Sequence, residues 1–145
     1  MLRSSTQIFA ILGALTTAAC LFSAKPIYYE NDKRVALEHV AAFHNYLSDG
    51  DYERIYELFD KKVTSQQSKE QFIGALRSFQ DQAGAFRKHT IVTIDVRPQA
   101  DFRLVHIILD SEFDRIRTQE EFDCFVDGAT AVFGFYGHPS TLNVR

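Results

Sequence analysis

From residue 32 to residue 49 the apolar side chains Ala36, Val40, Phe43 and Leu47 recur at steps of four, three and four, which draws one stripe along an amphipathic helix. Gly50 supplies the left-handed stop after it. Asp51 then caps a second, shorter helix in which Tyr52, Ile55, Tyr56 and Phe59 share a face, and the polar run 61–67 breaks the pattern. Ser68 followed by Gln71 forms a capping box. The helix it opens turns Phe72, Leu76, Phe79 and Ala83 inward and ends at Gly84.

Past Gly84 the period falls to two, and β-branched and aromatic residues take over at 90–96, 103–113, 120–126 and 130–136. The turns fall at 98–101, at 114–118 and at Asp127-Gly128, a two-residue connection that fits strand twist. Helices gathered ahead of a meander predict the α+β class: three N-terminal helices packed on a curved, antiparallel four-stranded sheet. Alternation sorts the faces. Val92, Ile94 and Val96, then Val105, Ile107, Leu109 and Phe113, then Phe122, Cys124 and Val126 are expected to face the helices. Leu104, His106, Ile108, Asp110 and Glu112 fall on the outer face, with Phe125 and Asp123.

The start of the chain follows a different pattern. Residues 8–20 are uncharged, follow a short tail whose one side-chain charge is Arg3, and end in small residues, the layout of a secretory signal peptide. Thr17-Ala18-Ala19-Cys20 resembles the lipobox of bacterial lipoproteins, which implies lipidation of Cys20 and a membrane anchor. Two other readings stay open: cleavage without lipid, leaving a soluble periplasmic or secreted protein, and an uncleaved N-terminal anchor, since uncharged residues run on to Ala24. Residues 21–31 carry Pro26 and no helical period, so they read as a tether of roughly 30 Å if extended. Residues 32–145 form the one domain.

Composition narrows the function classes. With 145 residues, 46% of them hydrophobic, the chain has enough for one core once the leader is set aside. A formal net charge of −3 and no run of Lys or Arg give nucleic-acid binding no electrostatic basis. Cys20 and Cys124 are the only cysteines. If Cys20 is acylated, Cys124 is a free thiol on an apolar strand face; a Cys20–Cys124 disulfide is the competing reading.

The stretches FHNYLSDGDYERIYELFD, SKEQF and EEFDCFVDGATAVFGFYG, in that order, resemble the nuclear transport factor 2-like superfamily, most of all its small bacterial exported members of unknown function. The matching residues are the joint Asp49-Gly50-Asp51-Tyr52, the helix start Ser68, and the closing Gly134-Phe135-Tyr136. The resemblance implies a cone enclosed between helices and sheet. Enzymes of that superfamily need a carboxylate or His inside the cone. The inward strand sets named above contain neither, so the sequence favours a non-enzymatic binding or assembly module over a small-molecule-binding or proton-transfer enzyme.

Polar candidates are sparse. His106 and Asp110 share a strand face but stand about 13 Å apart along it, and read as a solvated or subunit-contact surface. His39 and His44 point to different sides of a helix, and His89 and His138 flank turns, so no metal or other cofactor is expected. The acidic residues Glu112, Asp114, Glu120, Glu121 and Asp123 read as a solvated face rather than a calcium loop. Tyr52, Tyr56 and Phe59 are candidate pocket-lining residues, with a core stripe as the competing reading. Leu104, His106, Ile108 and Phe125 form a candidate interaction face for a homodimer or an envelope partner.

Overall fold

The computed structural model describes residues 27–138 and 143–144. The leader, the lipobox-like Thr17–Cys20 and the first part of the tether lie outside the described residues, as does one half of the Cys20–Cys124 pairing. Helix α1 spans Ile27–Asp49, so it takes in the end of the expected tether and begins ahead of Asp32. Its first turns are held by side chains four or fewer residues apart: Lys33 on Glu30, and Arg34 on Asn31 and Glu38. Gly50 follows at φ 70°, the left-handed stop its position required.

Helix α2, Tyr52–Glu57, is capped by Asp51, whose side chain accepts from the Arg54 amide. A short helix α3, Lys61–Thr64, occupies the stretch expected to be irregular, because Asp60 caps it through the Lys62 amide. Helix α4, Lys69–Ala83, opens on the predicted capping box of Ser68 and Gln71. The described residues thus hold one more helix than the apolar periodicity announced, and the extra one is too short to carry a period.

Strands β1 (Phe86–Pro98), β2 (Arg103–Phe113), β3 (Ile116–Asp127) and β4 (Thr130–Gly137) form an antiparallel meander in sequence order. A two-residue strand β5, Asn143–Val144, extends the β3 edge beside β4 by pairing with Ile116 and Arg117. The segment after α2 closes the β4 edge: the Phe133 amide donates to the Leu58 carbonyl, and the Asp60 amide donates to the Phe133 carbonyl. Helix α1 lies against all four long strands, and α4 packs on α1 and α2. The fold is α+β, helices on one face of an antiparallel sheet.

The core forms where the two layers meet. Ala36, Val40, Phe43 and Leu47 of α1 are buried against Val105, Ile107, Leu109, Phe122, Cys124 and Val126 of the sheet, as their alternation required. Phe43 meets the rings of Phe122 and Phe133 edge-on at 5.3 and 5.9 Å. The β1 assignment is corrected in one place. Ile91 pairs with Leu109 but Thr93 pairs with Ile108, so Val92 is the extra residue of a bulge and is 51% exposed. Beyond that bulge the inward positions of β1 change parity, from Ile94 and Val96 to His89, which pairs with Ser111.

Candidate functional site

The inner face of the sheet is not free of ionisable groups. Glu120 has the same strand parity as Phe122 and Cys124, so it faces the helices and is fully buried. Its place on a solvated acidic face is therefore corrected: of the five acids, Glu120 points inward while Glu121 and Asp123 are on the other side of the strand. His44 lies one residue after Phe43, one turn on from Val40, and is 2% exposed. The two side chains meet, with His44 Nε2 2.8 Å from Glu120 Oε2. Tyr136, from β4, donates its hydroxyl to Glu120 Oε1 at 2.9 Å.

Burial pushes the Glu120 carboxyl up, but the hydrogen bond and charge of His44, with smaller help from Ser111 and Tyr136, outweigh it and hold the group below its ordinary value. The same burial and the adjoining carboxylate push the Tyr136 phenol well above its usual range. An ionised carboxylate only accepts, so His44 must present Nε2–H to it. That fixes the ring's orientation and leaves Nδ1 on the far side.

His44 stacks flat on Phe86, with centroids 3.9 Å apart and planes 4° from parallel, and meets Phe122 edge-on at 5.9 Å. Phe113 approaches from a third side. The His89 ring stands 5.6 Å from it, centroid to centroid. Burial, and then the charge of His44, lower the pKa of His89 despite an opposing pull from Glu120. His89 was expected to flank a turn; it belongs to β1, brought inward by the bulge at Val92. His39 is held elsewhere, its Nε2 3.0 Å from the Leu58 carbonyl and its ring 4.5 Å from Phe133. Among the described residues no group of three or more His, Cys, Asp or Glu side chains is placed to hold a metal ion.

The sequence-derived pocket residues sit apart from this cluster. Phe59 is buried, with its ring 5.0 Å from Phe72, and Tyr56 meets Phe72 edge-on at 5.3 Å. Tyr52 donates to Gln80 of α4, and Arg77 and Lys69 lie over the Tyr52 and Tyr56 rings. Tyr52 and Tyr56 join α2 to α4, and Phe59 joins the segment after α2 to the same helix.

The candidate interaction face is continuous. Leu104 pairs with Phe125 and Phe125 with Val132, His106 with Asp123 and Asp123 with Phe135, and Ile108 with Glu121, so all share the outer side of the sheet. Leu104, His106, Ile108 and Phe125 are half-buried, while Phe135 is 44% exposed. Phe102 packs on Phe125 at 5.0 Å. His106 finds its partner across the strands rather than along its own: Nδ1 is 2.7 Å from Asp123 Oδ1, and Nε2 is 3.8 Å from Glu121.

Compared with known proteins, the chain matches no protein-family model and no curated protein. No described helix is long and apolar enough to cross a membrane.

Proposed function

We propose that the chain is an envelope-tethered, non-enzymatic binding or assembly module with a nuclear transport factor 2-like domain, and that it works through the outer face of its sheet by meeting a second copy of itself. The observation that carries this reading is the row Leu104, Phe125, Val132 with Ile108 and Phe135, an apolar strip left on the side of the sheet away from the helices. Both signs of charge border the strip. Asp95, Asp123 and Glu121 surround His106, with Arg97 at one end and Arg117 at the other. A surface with both signs and an apolar middle suits its own copy across a two-fold axis.

The interior ionisable groups support the non-enzymatic side of the reading. Glu120 and His44 are buried among Phe43, Phe86 and Phe122 and hydrogen-bonded to each other, an arrangement that fixes both side chains in the core rather than presenting them to a visitor. The tether rests on the lipobox-like Thr17–Cys20. Light scattering on the full chain tests the assembly: the reading expects twice the monomer mass at micromolar concentration, and a monomer at those concentrations contradicts it. For the anchor, Cys20→Ser is expected to change both the mature mass and the membrane fraction.

A further inference from the structure

Charge is unevenly placed along the outer face of the sheet. Arg97, Leu104, Phe125 and Val132 are successive partners across β1, β2, β3 and β4, so they form one row from edge to edge. Asp95, His106, Asp123 and Phe135 form the next row. At the β4 end of the first row a groove of about 680 Å³ opens, lined by Phe102, Phe125 and Val132 and by the acids Asp60, Asp101 and Asp127, with Lys62 as its one base. It lies on the side of the sheet away from the helices. Asp60 accepts from the Lys62 amide at the start of α3, but among the described residues Asp101 and Asp127 have no side-chain partner. The Phe102 and Phe125 rings stand 5.0 Å apart beside these carboxylates, tilted by 55°. Aromatic rings next to unpaired carboxylates suit a guanidinium, which stacks on the one and donates to the other.

The opposite end of the same row carries such a group. The Arg97 side chain is 59% exposed, and its Nε lies 2.8 Å from Asp95 Oδ2, which leaves both terminal nitrogens without a partner among the described residues. Arg97 cannot reach the groove of its own chain, because three strand spacings, about 14 Å, separate β1 from β4. A second copy can bring it there. When two sheets pack face to face with their strands roughly aligned, a two-fold axis between them runs either along the strands or across them. An axis along the strands, between β2 and β3, keeps each row level and reverses the strand order. Leu104 then meets the partner's Phe125, and Arg97 comes over the partner's Val132, at the groove. An axis across the strands and through the row sets Arg97 on the partner's Arg97 and Asp123 on the partner's Asp127, like charge against like. Moved to the middle of the strands, it sets Leu104 on the partner's Asp110 and Phe125 on the partner's Gln119, which loses the apolar contact.

Resting on the sheet-face dimer proposed above, we infer that its two-fold axis runs along the strands and that Arg97 of each copy sits in the acidic groove of the other, against Asp127 and the Phe102–Phe125 rings. The experiment uses the full chain with Arg97→Asp and with Asp127→Arg, each checked for folding by its melting curve. Each variant alone is expected to raise the dimer dissociation constant at least about tenfold in a light-scattering dilution series, because it sets like charges together at both grooves. Mixed in equal amounts, the two are expected to form a heterodimer of near wild-type affinity, resolved from the homodimers by native mass spectrometry. In that heterodimer one groove pairs the new aspartate with the new arginine, and the other keeps the wild-type pair. If Asp127→Arg does not fold, Asp101→Arg takes its place. A wild-type dimer that neither substitution weakens, or two weakened variants that form no heterodimer on mixing, overturns the placement of Arg97 and leaves the sheet-face reading intact; a wild-type monomer overturns both.

Discussion

His44 and Glu120 stand 76 positions apart in the chain, yet Nε2 of one lies 2.8 Å from Oε2 of the other inside an aromatic core. The pair joins α1 to β3, and Tyr136 ties β4 to the same carboxylate. Removing one member of a buried pair leaves the other uncompensated, which costs more than the pair's net contribution. Glu120→Gln is therefore expected to lower stability by about 3–5 kcal/mol. Tyr136→Phe, which removes one hydrogen bond to a charged group, should cost about 1.5–3 kcal/mol. Urea unfolding measures both, and a Glu120→Gln protein as stable as the wild type would contradict the ion pair.

Acidification should weaken the fold in two stages. His39 and His89 are both lowered by burial, so the unfolded chain takes up their protons first as pH falls below about 6.5. Their contribution is present above that pH and is lost as pH falls through their folded values. Glu120 is also lowered, so its contribution is present above about pH 4.3 and disappears as pH falls further. The Tm at pH 5.5 is expected below that at pH 7.5, and His39→Gln should flatten the difference. A Tm that rises between pH 7.5 and 5.5 would show that these imidazoles gain rather than lose proton affinity on folding.

Gly84 ends α4 at φ 81° and ψ −165°, a conformation nearly confined to glycine. A β-carbon there would stand 2.6 Å from Asp114 Cβ. Asp114 cannot simply yield, because its carboxylate accepts from the Ala85 amide and pairs with Arg87. Gly84→Ala is expected to destabilise by about 1–3 kcal/mol in urea unfolding, through backbone strain alone before the clash is added. By contrast, Gly74→Ala should be neutral or stabilising, since nothing lies within 4 Å of the added carbon.

The elements were legible where a period repeats long enough to be seen. The stripe of α1, the capping box of α4 and the alternation of β2 each place their residues correctly. The short helix α3 escaped because its Asp60 cap is a single residue without a following period. Glu120 escaped for a chemical reason: its parity with Phe122 points inward, but a carboxylate reads as solvated until a partner is known, and that partner is on α1. His89 escaped for a geometric one. The bulge at Val92 reverses the parity of β1, and a bulge is a property of two paired strands rather than of either sequence.

Cys124 faces the core with no exposed surface, and burial, aided by the Asp123 charge, pushes its thiol well above the ordinary range. Labelling by a thiol reagent is expected to be slow in native buffer and to become fast above the urea midpoint. Prompt labelling of the folded protein would mean that the two faces of β3 are interchanged.

If the outer sheet face carries the proposed assembly, a charge placed within it must break the dimer and one placed outside it must not. Ile108 lies in the middle of that face beside Glu121, whereas Ile91, 42% exposed, lies on β1 at the bulge and outside the strip. An aspartate at either position adds the same charge at a solvent-reachable site, and only one of them falls within the proposed contact. The decisive measurement is the concentration-dependent mass of Ile108→Asp and Ile91→Asp by light scattering, with melting curves to show that both fold. A folded monomer is expected for Ile108→Asp and a wild-type dimer for Ile91→Asp; a dimer that survives Ile108→Asp would contradict assembly through this face.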